Sequence, residues 1–341
     1  MSWRIVSSLQ MLVQRFLFWC VVIAVVHLYV PFSRSAAAQE VAKENLLLKN
    51  HPLVETIWDV KSGKQITQSQ LWQALAKGHY VLLGEKHDNP RHHEIQAQAV
   101  GALVGAGKRP ALVFEMLDET ASPILAIARE NELAQLGKEL KWEARGWPAF
   151  SMYAPIFKQG LAAGLPLIAG GPSREKLKRV ASGALPFEAD KLLWDKALTT
   201  PLQQSLVDEL VSSHCHLMKA EQMAPMVAMQ RLKDASMARA MRETTPRQGA
   251  ILIAGNGHIR VDRGVPYYLT GGGQFLTLAP VEVQRGAFKA QDYKMFDAKL
   301  YDYIWFTARV DEVDPCEKYK GSLQRLKSKG DLKTLNKAAE K

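Results

Sequence analysis

Four short apolar runs, each broken off at its end by a glycine or an acid, constrain this chain more than any other feature. They are YVLLG at 80–84, ALVFE at 111–115, the PLIA run at 166–169 and AILIA at 250–254. A strand that is apolar at every position, rather than at every second one, must be covered on both faces. The intervals between the runs carry helical patterning, over 90–105, 122–136 and 153–163. Strand and helix in alternation predict an α/β fold, a mostly parallel β-sheet flanked by helices. Segments 275–278 and 303–307 read as later strands of the same sheet. IWDVKSGKQIT predicts a hairpin turned at Ser62-Gly63, and Thr67 with Gln70 three residues on forms a capping box that opens a helix. Between Thr199 and Arg242 helix follows helix, with Met223, Met226, Val227, Gln230 and Met237 at mixed spacings. That predicts a smaller helical subdomain over 199–245, whose methionines from Met218 to Met241 fill a core rather than bind a ligand.

The ends of the chain are set apart by charge and hydropathy. Residues 1–38 carry Arg4 and Arg15, an apolar run from Phe16 to Val30, and the small residues Ala36 and Ala38, which predicts a signal peptide cleaved after Ala38. The run is shorter than the ~20 residues a spanning helix needs, so a retained anchor is disfavoured. Cys20 lies inside the apolar run and not at its end, where a lipid-attachment cysteine would stand. Export to the periplasm or outside the cell follows as an expectation. The formal charge of +10 falls to +7 once Arg4, Arg15 and Arg34 leave with the leader, and the segment from Glu317 onward holds +5 of that. The body is therefore close to neutral, and without an aromatic-interleaved basic groove no nucleic acid is expected as a partner. The resulting plan is a lead-in at 39–57, the α/β domain at 58–310 and a basic tail at 311–341, which is able to touch an anionic surface. Cys215 and Cys316 remain in the mature chain, and their pairing is open because sequence does not fix their distance. No metal-binding cysteine spacing is present.

In an open parallel sheet, ligands bind at the carboxyl ends of the strands, where loops converge and helix N-termini face the site. The residues just past the four runs are then informative. VLLG delivers Glu85 and His87, LVFE ends on Glu115, LPLIAG leads to Ser173 and Arg174, and ILIAG leads to Asn256, His258 and Arg260. Gly84-Glu85-Lys86-His87 and Gly255-Asn256-Gly257-His258 share the form GxxH directly after a strand. Glycine permits the sharp exit, and the imidazole three residues on can return over the strand end. Glu85, His87, Glu115 and His258 are thus the candidate catalytic residues, and His87, His258 and Glu115 the candidate ligands of a divalent metal such as zinc or manganese. The bland alternatives are specific. Glu85 is also placed to cap the next helix, Asp88 and Asn89 ahead of Pro90 are cap residues, and Glu115 in an apolar strand requires either a site or a buried ion pair. His92 and His93 sit about 100° apart on a helix, so only one of them can face the cleft. His214 and His216 diverge in the same way.

Taken in order, GEKHDNPRHHE, FEM, RGWPAFSMYAPIFKQGLAAGLPLIAG, MVAMQRLKDASMARAM, GNGHIRVDRGVPYYL and DYIWFT resemble the ChaN family of haem-binding uptake proteins, over about 58–307. Its superfamily also holds the Tiki metalloproteases and erythromycin-esterase-like proteins. The resemblance implies a parallel sheet with a helical subdomain, a site near Glu85, His87, Glu115 and His258, haem held through a tyrosine or histidine, a homodimer around the cofactor, and a part in iron uptake. Haem needs an axial donor, an apolar slot and cations for its propionates. Tyr153, His93 or His92, and Tyr267 or Tyr268 are the candidate donors, Trp147 and Asn256 further contacts, and Arg260, Arg145 and Arg174 candidate propionate partners. Without CxxCH, covalent attachment is excluded. The Tiki branch implies instead a metal-dependent hydrolase, with Glu85 as general base beside His87, His258 and Glu115.

Overall fold

The computed structural model describes residues 45–244, 248–270, 273–318 and 321. The expected leader and nearly all of the basic tail beyond Lys318 lie outside the described residues.

Among the described residues, eight strands form one sheet. They are β1 (Ile57–Asp59), β2 (Lys64–Ile66), β3 (Tyr80–Leu83), β4 (Ala111–Asp118), β5 (Leu167–Gly171), β6 (Ala250–Ile253), β7 (Phe275–Glu282) and β8 (Tyr303–Thr307), in the spatial order β2-β1-β8-β7-β3-β6-β4-β5. The pairs from β8 to β5 are all parallel, and only the β1–β2 hairpin and its docking on β8 run antiparallel. The sheet is therefore mostly parallel, as the apolar runs predict. β3 and β6 lie side by side at its centre, with Leu83 opposite Ile253, so the two GxxH loops leave the sheet as neighbours.

Both faces are buried, and alternate residues divide between them. Val81, Leu83, Leu112, Phe114, Ile251 and Ile253 join one core with helices α1 (Gln68–Leu75), α2 (Pro90–Gly105), α4 (Leu133–Glu139) and α5 (Phe150–Ala162). Tyr80, Leu82, Ala111, Val113, Ala250 and Leu252 join a second core with α8 (Ala224–Thr244) and α9 (Val265–Tyr268). The capping box at Thr67 and Gln70 opens α1, and Asn89 caps α2 by accepting from Arg91 N at 3.0 Å. Met237 and Met241 are fully buried against the sheet, and Met223 is buried with Leu198, Leu206 and Val227 beneath α7 (Thr200–Ser213). The methionines here are core.

Several boundaries differ from the sequence reading. The helix expected over 122–136 is two pieces, α3 (Ser122–Ile127) and α4, because Ala128 and Arg129 adopt extended backbone and Glu130–Glu132 forms a single 3-10 turn. β4 runs to Asp118 rather than stopping at Glu115, and its register against β5 shifts between Phe114 and Asp118. Such an irregularity breaks the regular alternation, and the residues within it are Glu115, Met116 and Leu117, of which Met116 and Leu117 both join the first core. α6 (Arg174–Ala181) follows β5, and α10 (Pro315–Lys318) ends the described chain apart from Gly321.

Candidate functional site

The loop after β3 is built around the Glu85 carboxylate, which is fully buried and therefore demands donors. Tyr153 on α5 donates its hydroxyl to Oε1 at 2.6 Å, His87 brings Nδ1 to the same oxygen at 2.5 Å, and Gln96 on α2 donates Nε2 to Oε2 at 2.8 Å. His93 stands 3.3 Å from Oε2. Burial pushes the Glu85 pKa up, but the imidazoles of His93 and His87 outweigh it and hold the carboxyl well below its ordinary range. Glu85 is thus an anion serving as the hub of a hydrogen-bond network, not a helix cap.

The two histidines at the start of α2 diverge as helical geometry requires. His92 turns away: its Nδ1 accepts from Lys86 N at 2.8 Å and its Nε2 meets Thr307 Oγ1 at 2.9 Å on β8. Burial depresses its pKa to about 3, so it is neutral and fastens the loop to the sheet. His93 faces the site, yet both its nitrogens are engaged, Nδ1 with Glu85 and Gln96 and Nε2 with His87 O at 3.0 Å.

The loop after β6 supplies a second buried cluster. Gly255 N donates to Glu115 Oε2 at 2.9 Å, and Glu115 Oε1 faces His258 Nε2 at 3.1 Å. The other nitrogen of His258 meets Asp234 Oδ1 on α8 at 2.6 Å. Burial opposes charge on this imidazole, but Glu115 and Asp234 outweigh it and push its pKa up to about 10. Glu115 is correspondingly pulled far down despite its burial, while burial keeps Asp234 above its ordinary value. Lys233 Nζ completes the cluster 3.6 Å from Glu115 Oε1.

His87 joins the two clusters. A Cβ added to Gly255 would lie 3.1 Å from His87 Nε2 and 3.7 Å from Glu115 Oε2, so the imidazole edge and the second carboxylate face one another across a residue that has to be small. Burial opposes protonation of His87, and the adjoining Glu85 and Glu115 raise its pKa on balance. Its side chain remains 35% exposed, unlike those of Glu85, Glu115 and His258. Trp147 packs edge to face on the ring at 4.8 Å and is fixed by a bond from its Nε1 to Met116 O.

The structure therefore gathers Glu85, His87, Glu115, His258, Tyr153, His93 and Trp147 at one sheet edge. Arg174, at the exposed start of α6, is the propionate candidate for which no partner among the described residues defines a place in the site, and the other sequence candidates are engaged elsewhere. Arg260 is a bidentate partner of Asp262 and also meets Glu209, and Arg145 pairs with Asp118, so neither presents a free guanidinium to a propionate. Tyr267 and Tyr268 face the helical side, where Tyr267 donates to Ala197 O and Tyr268 receives Arg231. Asn256 braces the two loops, taking Glu85 O through its backbone N–H and giving Nδ2 to Pro280 O. Among the described residues, no group of three or more His, Cys, Asp or Glu side chains is arranged to hold a metal ion. Gln96, Lys233 and Asp234 were not singled out from the sequence. Asp234 carried a signal, since it shares the buried stripe of α8 with Met237 and Met241, where an acid needs a partner.

Comparison with known proteins agrees with this architecture. No curated protein matches significantly. Among solved structures, ChaN of Campylobacter jejuni, described with cofacial heme binding, superposes with a TM-score of 0.58 at 20% identity, covering 73% of this chain and 95% of that one. The type III effector HopBA1 gives 0.42 at 14% identity (70% and 92% covered), and erythromycin esterase EreC in its open conformation 0.39 at 13% (76% and 98%). At these identities the first likeness establishes the fold. The family follows from the sequence model: residues 71–269, which include both GxxH loops and the helices that partner them, match the haem-binding uptake family ChaN of the Tiki superfamily, and the chain belongs to that family.

Proposed function

We propose that this protein binds haem at the carboxyl edge of its sheet, with His87 Nε2 as the iron donor. The observation that carries the reading is the Glu85–His87 pair. A buried carboxylate fixes Nδ1 at 2.5 Å, orients the ring and leaves Nε2 as the open nitrogen of a partly exposed imidazole. Carboxylate–histidine pairs of this kind set the tautomer and raise the basicity of a metal-bound imidazole. Trp147 offers an aromatic surface beside the ring, and Lys233, whose Nζ stands 3.6 Å from Glu115 Oε1, offers a partly exposed cation for a propionate. Tyr153 and His93 support the site from behind. The Tyr153 hydroxyl is buried on Glu85, and burial together with that charge pushes its pKa far above 10, so a phenolate donor would require breaking the network. Export through the leader, a role in iron or haem uptake, and dimerisation around the cofactor complete the proposal.

The test is a haemin titration of the mature chain. A saturable Soret shift is expected in the wild type and in Tyr153→Phe, with the axial-ligand signature lost in His87→Ala. No shift beyond that given by an inert protein would refute haem binding. A normal spectrum in His87→Ala would move the donor elsewhere. A metal-dependent hydrolase has less support, because His258 engages Nδ1 with Asp234 and Nε2 with Glu115 and so keeps neither nitrogen open to a metal.

A further inference from the structure

Two elements seated on opposite halves of the site are joined covalently. Cys215, just past the end of α7, is bonded to Cys316 in α10, 101 residues away. On the α10 side, the chain leaving β8 lies along the loop that carries His87. Asn89 Nδ2 donates to Ala308 O at 3.0 Å, and Val310 N donates to Glu282 Oε1, which also accepts from Asn89 and Lys86. Lys318 Nζ then reaches Asp88 Oδ2 at 3.2 Å, one residue from His87. On the α7 side, Glu209 receives Arg260 and Arg263 from the loop after β6, and its Oε1 stands 3.4 Å from where a Cβ on Gly257 would project. The disulfide thus ties an element resting on GEKH to one resting on GNGH.

We propose that the Cys215–Cys316 disulfide is a redox clasp over the strand-end site: intact, it seats residues 311–318 beside His87, and reduced, it releases them and speeds ligand exchange. The ligand part rests on the haem reading above; the clasp does not. Arg309 Nε donates to Asp311 O at 2.6 Å, and the ion pairs Arg285–Glu312 and Lys318–Asp88 are among the ties of the segment beyond Val310, with side chains from 33% to 72% exposed. Pairs this open to solvent contribute little, and the covalent bond is the tie that a reductant can remove. At the other end, Cys215 and His216 hold left-handed backbone, with φ of 58° and 56°, in the turn that ends α7, so the bond starts from a loop and not from within the helix. The step is a thiol–disulfide exchange with a dithiol reductant: the S–S bond takes up two electrons, each Sγ gains one proton, and the reductant leaves as its own disulfide.

The experiment compares the full-length mature chain, oxidised, with the same chain reduced by dithiothreitol, alkylated and freed of reagent, and with Cys316→Ser. Hydrogen exchange read by mass spectrometry on the haem-free protein should be about tenfold faster at 311–318 and at Asp88–Asn89 in both altered forms, at labelling times too short for the central strands to exchange in any form. Haemin transfer from the loaded protein to apomyoglobin should accelerate by a similar factor, about tenfold. Exchange within about twofold of the oxidised chain at those segments would overturn the clasp, as would two free thiols in protein prepared under oxidising conditions. If no form takes up haemin, the haem reading fails while the exchange measurement still decides the clasp. Alkylated wild type provides the comparison should Cys316→Ser fold poorly.

Discussion

Glu85 shows how one residue sets the chemistry of its neighbours. Its two oxygens serve Tyr153, His87 and Gln96 with His93 close by, so an amide in its place keeps one acceptor and turns a second set of donors toward groups that also donate. Glu85→Gln should therefore cost about 3 kcal/mol of stability, as loss of a charge from a buried network does, measured by urea unfolding. Tyr153→Phe removes a single bond to the same carboxylate and should cost about 1 kcal/mol. A larger loss in Tyr153→Phe than in Glu85→Gln would contradict the hub assignment. The repetition of GxxH after two strands made His87 and His258 legible from sequence, but not their different roles. His258 becomes a buried cation because Asp234 arrives from α8, and nothing along the chain says which face of that helix meets which strand end. The same holds for His92 and His93: the sequence required them to diverge, but the partner of His92, Thr307, comes from a distant segment, and which of the two would turn back to the nearby Glu85 was not legible.

At the scale of elements, the site depends on β3 and β6 leaving the sheet in contact. Gly84 makes this possible, since a Cβ there would fall 2.0 Å from Asn256 Oδ1 and 2.7 Å from the Ile259 side chain. Gly84→Ala must push the GNGH loop off the GEKH loop, at a cost of about 2 kcal/mol by analogy with overpacked cores. Chemical denaturation measures that cost, and wild-type stability with an unaltered His87 titration would show that the loops need not touch. Both apolar strands and their glycine exits were readable, because complete burial writes itself as unbroken hydrophobicity. The break between α3 and α4 and the extension of β4 past Glu115 were not, since they are set by a local register shift against β5 and by two extended residues inside a helical pattern. The long-range cross-link belongs to this scale too. Loss of the Cys215–Cys316 bond frees a loop of about a hundred residues in the unfolded chain, which predicts a stability loss of about 4 kcal/mol in Cys316→Ser on chain-entropy grounds.

Over the whole molecule, the two buried clusters dictate how stability varies with pH, and they act in opposite directions. Glu85 and Glu115 have folded pKa values below the ordinary 4.5, so their contribution is fully present above about pH 4.5 and is lost progressively as the pH falls further. His258 has a folded pKa of about 10 against an ordinary 6.5, so its contribution is complete below pH 6.5 and is lost as the pH climbs toward 10. His87 is raised in the same sense. His92 acts in the opposite sense to His258: held down to about 3 against an ordinary 6.5, its contribution is complete above pH 6.5 and is lost as the pH falls toward 3. Unfolding free energy should accordingly peak near about pH 6.5 and decline on both sides, the alkaline decline starting well before lysines titrate. The alkaline limb carries the more specific claim. Asp234→Asn removes one of the two carboxylates that hold the His258 proton, lowering that pKa toward its ordinary value, so the variant should be less stable at pH 6 and should lose less between pH 7 and pH 10 than the wild type does. Thermal unfolding at half-unit pH intervals on both proteins makes the comparison. Parallel curves across pH 7–10 would mean that His258 is not charged in the folded state, and would reopen it as a neutral donor at the strand ends.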